Sequence, residues 1–262
     1  MADEALTAQS RTVPALLLAA VIGLQIGYPL ASGDARRTLT VLIVVTLAAT
    51  CLAHAGLTRG PATALGLFAV TAVPGWAVEA IGVHTGIPFG TYHYSADLGP
   101  RLIDAPLLIG LAWTMLGWPA ALVARRLVRA PLARILVGGW ALAVTDLFLD
   151  PQQVAAGHWT WQYPAPHLPG VAAVPLTNYA GWLLVALVLS AALQAIAGNS
   201  DDAGNSGDGD RDGVMVVAYL WLYGGWIVAL AAFLDLEAAA GWGALGMGTV
   251  AVPLAVRSWR RR

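Results

Sequence analysis

Pro175-Leu-Thr-Asn-Tyr-Ala-Gly-Trp-Leu-Leu-Val-Ala-Leu-Val-Leu-Ser-Ala-Ala-Leu-Gln-Ala-Ile-Ala197 runs for 23 residues without one Asp, Glu, Lys or Arg. As a helix it would be about 34 Å long, enough to cross a hydrocarbon layer about 30 Å thick. Seven further segments share the pattern, at 13–31, 37–55, 61–83, 103–124, 131–150, 214–234 and 241–257. Each is bounded by Pro, Gly, Arg or acids. The chain therefore reads as an all-α protein, a polytopic transmembrane bundle of about eight helices forming a single domain over 1–262. Composition agrees. Of 262 residues, 58% are hydrophobic and 11% charged, and mean hydropathy is +0.68. A soluble domain carries about 25% charged residues, so lipid must solvate most of this surface. The expected location is the cell membrane, in multi-pass form.

The basic residues orient the bundle. All fourteen are Arg. Eight spans put eleven of them on the side shared by the termini and three, Arg36, Arg37 and Arg101, on the other. Cytoplasmic loops carry the excess of basic residues, so both termini are expected in the cytoplasm. The stretch 198–213, centred on NSDDAGNSGDGDRD, then becomes a flexible, acidic cytoplasmic loop. Lys avoidance together with that loop fits a high-GC halophile. The N-terminus offers Ala31-Ser-Gly33 after an apolar run, but Asp3 and Glu4 oppose a signal peptide, and no cleavage is expected. Cys51 stands alone in an apolar run and reads as a buried thiol. A net charge of −1 gives no reason to expect nucleic acid.

This topology gathers the chemistry on the outer face. Loops 84–102 and 151–174 hold four of the five His and many aromatics. Acids at membrane depth are costly and usually face a cavity or a partner. Asp146 and Asp150 are four apart and share a helical face. Two carboxyls this close resist joint ionisation, and a shared proton is what a general acid at neutral pH needs. The bland alternative is an interfacial pair served by water or Arg101. Glu79 lies about one turn from its helix end, after Pro74-Gly75-Trp76. Asp104 begins the fourth helix and is either a cap or a functional acid. Asn178 is an amide at membrane depth that needs a partner. Trp159, Trp161 and Tyr163 read either as an interfacial belt or as a wall for a polyene or developing cation. His84 and His93 match no helix-based ligand spacing, and neither metal nor cofactor is expected. No Walker loop, dinucleotide fingerprint or nucleophile elbow occurs, and the His boxes of a membrane di-iron oxygenase are missing.

The run Glu79-Ala-Ile-Gly-Val-His-Thr-Gly-Ile-Pro-Phe-Gly-Thr-Tyr-His-Tyr94 is followed by Leu98-Gly-Pro100, Asp104-Ala-Pro-Leu107 and Ala112-Trp113. Further on come Asp146-Leu-Phe-Leu-Asp-Pro151, Trp159-Thr-Trp161 and Val174-Pro-Leu-Thr-Asn-Tyr-Ala-Gly-Trp182. Together these resemble the membrane carotenoid hydratase family, which includes γ-carotene hydratases of bacteria and bisanhydrobacterioruberin hydratases of haloarchaea. The resemblance covers 76–182 well and the flanks by hydropathy. The aromatic-Gly-Val-Pro usual before the Asn is replaced here by Gly170-Val-Ala-Ala-Val-Pro175. The resemblance implies addition of water to a terminal isoprenoid double bond of a carotenoid, without an organic cofactor. The halophile-like composition points to the fifty-carbon bisanhydrobacterioruberin, hydrated to bacterioruberin. The implied partners are a lipid-soluble carotenoid, membrane lipid and other carotenoid biosynthesis enzymes.

Hydration of a trisubstituted alkene needs an acid, a stabilised tertiary cation and a base that orients water. Asp146 or Asp150 would be the acid, and Glu79 or Asp104 would hold the water. Phe89, Tyr92, Tyr94, Trp159 and Trp161 would bind substrate and face the cation. Asn178 would position water or a carboxyl. The rivals are a transporter, whose internal repeats are not visible here, an accessory carotenoid-binding subunit, and a prenyl transferase, for which a second acidic motif beside Asp146-x-x-x-Asp150 is missing.

Overall fold

The computed structural model describes residues 2–198 and 211–260. Among them are eight spans long and apolar enough to cross a membrane. The helices are α1 (Ala2–Gly27), α2 (Gly33–Arg59), α3 (Pro61–Thr85), α4 (Leu107–Leu127), α5 (Pro131–Ala143), α6 (Asp146–Ala155), α7 (Leu176–Ile196), α8 (Gly213–Ala232) and α9 (Glu237–Trp259). The chain is a multi-pass helical membrane protein. Most of the acidic loop expected at 198–213, residues 199–210, lies outside the described residues.

Helix α4 is the centre of the bundle. Of its 18-residue apolar window, 83% is buried, against 22–61% for the other spans. It packs against α2, α3, α5, α7 and α8. Large side chains such as Trp113, Leu116 and Trp118 fill the space around it, while outward residues such as Leu65, Leu184 and Leu245 are exposed. An apolar exterior of this kind is stable only in lipid.

The fifth span differs from the single helix expected over 131–150. It runs to Ala155 and is broken into α5 and α6 at Val144 and Thr145. The Thr145 hydroxyl donates to the Leu142 carbonyl at 2.6 Å, and the Thr145 backbone N–H donates to the same oxygen at 3.2 Å. This local side-chain bond competes with the regular ladder. Pro151, inside α6, has no N–H to give back to the turn before it. The break makes Asp146 the first residue of a new helix.

The loops at one end of the bundle are not irregular. Strand β1 (Tyr92–Tyr94) pairs antiparallel with β4 (Trp159–Trp161), aligning Tyr92 with Trp161 and Tyr94 with Trp159. Strands β2 (Arg101–Leu102) and β3 (Ala105–Pro106) form a tight hairpin, and β5 (His167–Leu168) pairs with β6 (Val171–Pro175). The fourth helix was expected to begin near Asp104, but Ile103 and Asp104 form the hairpin's turn. Both have positive φ, 49° and 58°, as a two-residue turn of this hand requires. Helix α4 begins after it, at Leu107.

At the opposite end a buried polar clamp ties α2 to the start of α8. Arg59 donates to both carboxylate oxygens of Asp212 at 2.8 Å. His54 accepts from the Trp118 indole at 3.1 Å through Nδ1, and its Nε2 lies 3.0 Å from the Arg211 carbonyl.

Candidate active site

Three of the four acids singled out in the sequence come together, buried, near the strand-bearing end. Glu79 sits in α3 six residues before its end. Its Oε2 accepts from the Tyr92 hydroxyl at 2.5 Å and from the Tyr94 hydroxyl at 2.7 Å. Its Oε1 accepts from the Trp113 indole at 3.3 Å. Burial, and then the neighbouring Glu79, push both tyrosine phenols well above their ordinary range, so they remain donors.

Small residues on α3 make this geometry possible. A Cβ at Gly75 would lie 2.5 Å from Trp113, so only Gly lets the indole lie against the helix one turn before Glu79. A Cβ at Gly82 would meet the Tyr92 hydroxyl at 2.8 Å. The strands supply the rest. Tyr92 and Tyr94 are buried while His93 between them is exposed, and Trp159 and Trp161 are buried about exposed Thr160. This period of two puts four aromatic rings on one face of the small sheet. Tyr92 lies 5.7 Å from Trp161, and Tyr94 lies 5.5 Å from Trp159, centroid to centroid.

Asp146 and Asp150 are carried by α6, and Asn178 is the third residue of α7. The Asn178 amide donates to Asp146 Oδ2 at 2.7 Å and also to Asp150 Oδ2. The remaining Asp146 oxygen, Oδ1, is buried with no hydrogen-bond partner among the described residues. A cavity of about 30 Å³ lies between Glu79 and Asp150, and Asn178, Phe89, Trp113, Trp159, Trp161 and Trp182 also wall it. That volume suits about one water molecule. A second, larger cavity of about 590 Å³ adjoins it and is almost entirely apolar. The two share Ile109, Ala112, Leu149 and Trp159 in their walls.

Asp104 is not part of this cluster. It stands exposed on its turn, 3.5 Å from His84 Nε2. Phe89, Tyr92, Tyr94, Trp159, Trp161 and Asn178 all reach the small cavity. The sequence reading gave no role to Trp113 and Trp182, which stack at 4.1 Å in its wall. Trp182 follows Asn178 by one helical turn, a spacing that marks it as sharing the Asn178 face. Gln152 and Gln153 were also passed over, although an amide pair after Asp150-Pro151 is unusual at membrane depth. Among the described residues, no group of three or more His, Cys, Asp and Glu is placed to hold a metal ion.

The sequence model of the carotenoid biosynthesis proteins matches residues 38–253, most of the chain and all of this site. The chain belongs to the carotenoid biosynthesis protein family. Within a shorter stretch it is similar to the bisanhydrobacterioruberin hydratase of Haloarcula japonica, at 35% identity over 114 residues. That match takes in 42% of this chain and 37% of the relative, so the chain spans little more than a third of that protein's length. No solved structure matches the chain.

Proposed function

We propose that this protein is a carotenoid hydratase that adds water to the terminal isoprenoid double bonds of its substrate. The observation that carries the reading is a water-sized cavity, bounded by buried Glu79 and Asp150 and by Asn178, set against a larger apolar cavity. The Haloarcula japonica relative is named for bisanhydrobacterioruberin, and we take that carotenoid as the substrate and bacterioruberin as the product. The reading sets the protein in the cell membrane, with both termini cytoplasmic as the Arg distribution argues. Other carotenoid biosynthesis enzymes would supply the substrate.

In the proposed reaction, the rod lies in the larger cavity and its prenyl end passes Leu149 and Trp159. The Asp146–Asp150 pair holds one proton between two carboxyls that cannot easily both ionise. That proton goes to the less substituted alkene carbon, and the π electrons form the new C–H bond. The tertiary cation left behind faces the rings of Trp159, Trp161, Tyr92 and Phe89, whose negative faces stabilise it. A lone pair of the cavity water forms the C–O bond, and Glu79 takes the proton released. Tyr92, Tyr94 and Trp113 hold Glu79 in place. Asn178 fixes the two Asp carboxyls in one orientation. Return of the proton from Glu79 to the Asp pair completes the cycle. Removing a general acid or base typically costs about 10²–10⁴-fold.

The test uses the full chain in lipid nanodiscs with bisanhydrobacterioruberin and, separately, a lycopene-type polyene. The expected product gains the mass of one water per hydrated end. Asp146→Asn, Asp150→Asn and Glu79→Gln are each expected to lower the rate by about 10²-fold or more. If all three keep full activity in folded protein, the carboxylate mechanism is wrong.

A further inference from the structure

A third cavity, of about 600 Å³, is an open groove between α5 and α9 at the end of the bundle away from the strands, with Leu127 and Val128 at the close of α4 in its wall. At its inner end the fifth span and α9 touch. The Trp140 indole donates to the Thr249 hydroxyl at 2.8 Å, and a Cβ at Gly246 would collide with Leu147. Beyond Thr249 the groove separates α5 from α9, and Leu136, Val137, Val250 and Pro253 line it. Leu136 and Trp140 are exposed, although both are large and apolar. Arg257 stands at the other end. Its guanidinium donates to the Leu127 carbonyl at 2.9 Å, which satisfies one of the carbonyls that the end of α4 leaves without a helical partner. That bond uses one of five N–H donors. Among the described residues no carboxylate pairs with Arg257.

The dimensions and the charge of this groove choose its occupant. From Thr249 to Arg257 it runs along α9 for about 12 Å, close to the roughly 15 Å of hydrocarbon in one leaflet. That is too short for a rod that spans the bilayer and suits one acyl chain entering from one side. A basic side chain at the mouth of a groove between membrane helices favours an anionic headgroup, and exposed Arg129 and Arg260 follow the same ends of α4 and α9. We propose that the α5–α9 groove binds a bilayer phospholipid of net negative headgroup charge. One acyl chain lies along Leu136, Val137, Val250 and Pro253 and ends against Trp140, and the phosphate oxygens accept from the remaining donors of Arg257. The acidic stretch 199–212 is a poor rival, because it has no large apolar side chain with which to fill the groove. The fifth span continues from α5 into α6, so the lipid braces the span that carries Asp146 and Asp150. The site does not depend on the hydratase reading.

The test places the full chain in nanodiscs of phosphatidylcholine that contain a small fraction of a brominated lipid. That lipid is either phosphatidylglycerol, which is anionic, or phosphatidylcholine, which is neutral overall, each brominated near the methyl end of its acyl chains. Bromine quenches an indole that it touches, and Trp140 emission is isolated as the difference between the wild type and Trp140→Phe. In the wild type, phosphatidylglycerol is expected to occupy the groove about fivefold more readily than phosphatidylcholine, the worth of one Arg near a membrane surface. Arg257→Gln is expected to bring the two lipids to parity. Val137→Phe, which fills the groove and leaves Arg257 in place, is expected to abolish the excess quenching by phosphatidylglycerol. Arg257→Gln also removes a cap from α4, so Val137→Phe carries the test by itself if that variant does not fold. Equal quenching by the two lipids in the wild type would overturn the proposal, as would a fivefold preference that survives in either folded variant. Quenching by neither lipid would mean that a second copy of the chain or the acidic stretch covers the groove, and the proposal would fall.

Discussion

Asn178 is expected to be the most consequential uncharged side chain in the site, and its worth can be worked out. Its amide donates to both Asp146 Oδ2 and Asp150 Oδ2, in a place sealed from solvent. If the two carboxyls share one proton, one acceptor is charged and the other neutral. A hydrogen bond to a charged group contributes about 1.5–3 kcal/mol and a neutral one about 0.5–1.5. Asn178→Ala should then destabilise the folded protein by about 3 kcal/mol. Much of that is the cost of two buried carboxyls losing a shared donor, so it should depend on their presence. In an Asp146→Ala/Asp150→Ala background, the same change should cost about 1 kcal/mol or less, giving a coupling of about 2 kcal/mol. The assay is a double-mutant cycle of unfolding midpoints in mixed micelles titrated with dodecyl sulfate, followed by tryptophan fluorescence. A coupling below about 0.5 kcal/mol, the usual scatter for independent sites, would show that Asn178 does not hold the pair, and the geometry built on it would be wrong.

Two further outcomes follow from the packing and the titration of the same end. Gly75→Ala puts a methyl 2.5 Å from the Trp113 ring, so it should destabilise the protein by about 1–3 kcal/mol. It should also slow the proposed hydration by loosening the Trp113 hold on Glu79, and unchanged melting and activity together would exclude that close approach. His158, in the loop before β4, has its pKa pushed below the ordinary 6.5, chiefly by burial. The unfolded chain then binds this proton more readily than the folded one, so the contribution of His158 is complete above about pH 6.5 and is lost as the pH falls below it. Melting temperature should decline on acidification from pH 7 to 5, and His158→Gln should flatten that slope; an unaltered slope in the variant would remove His158 as its cause.

The bundle was legible because lipid imposes a simple rule. A stretch such as 175–197 has no soluble alternative, so span number and approximate bounds follow from apolar length alone. The Asp146–Asp150 face and the need of Asn178 for a partner were legible for a related reason, since helical periodicity and the cost of buried polar groups are local arguments. What the sequence could not carry was how loop residues meet across long separations. Tyr92 and Trp159 are both in loops, and nothing local pairs β1 with β4. The alternation Tyr-His-Tyr and Trp-Thr-Trp was present as a signal of short strands, but the aromatic content read equally well as an interfacial belt. Asp104 was misplaced because Ala-Pro-Leu after an acid resembles a helix start, whereas Ile103 and Asp104 adopt a turn that no propensity favours for Ile. Trp113 was undervalued because a Trp inside an apolar span is ordinary. Its meaning lies in Gly75 on another helix.

The depth of the site bears on how it would control its reaction. Glu79 lies six residues from the end of α3, about 9 Å of helix rise. Asn178 lies within the first turn of α7. The acids are thus below the loops and inside the spans, Glu79 as near the middle of α3 as its end and Asp146 nearer the middle of the fifth span than its end. The two cavities differ in kind, since one is large and apolar and the other suits about one water. A tertiary cation surrounded by bulk water or by bases would lose a neighbouring proton and revert to alkene as readily as it would gain a hydroxyl. In the proposed site the cation meets ring faces on most sides and a single oriented water beside Glu79. The scarcity of water within reach would then determine the product, because the one nucleophile present is already aligned when the cation forms.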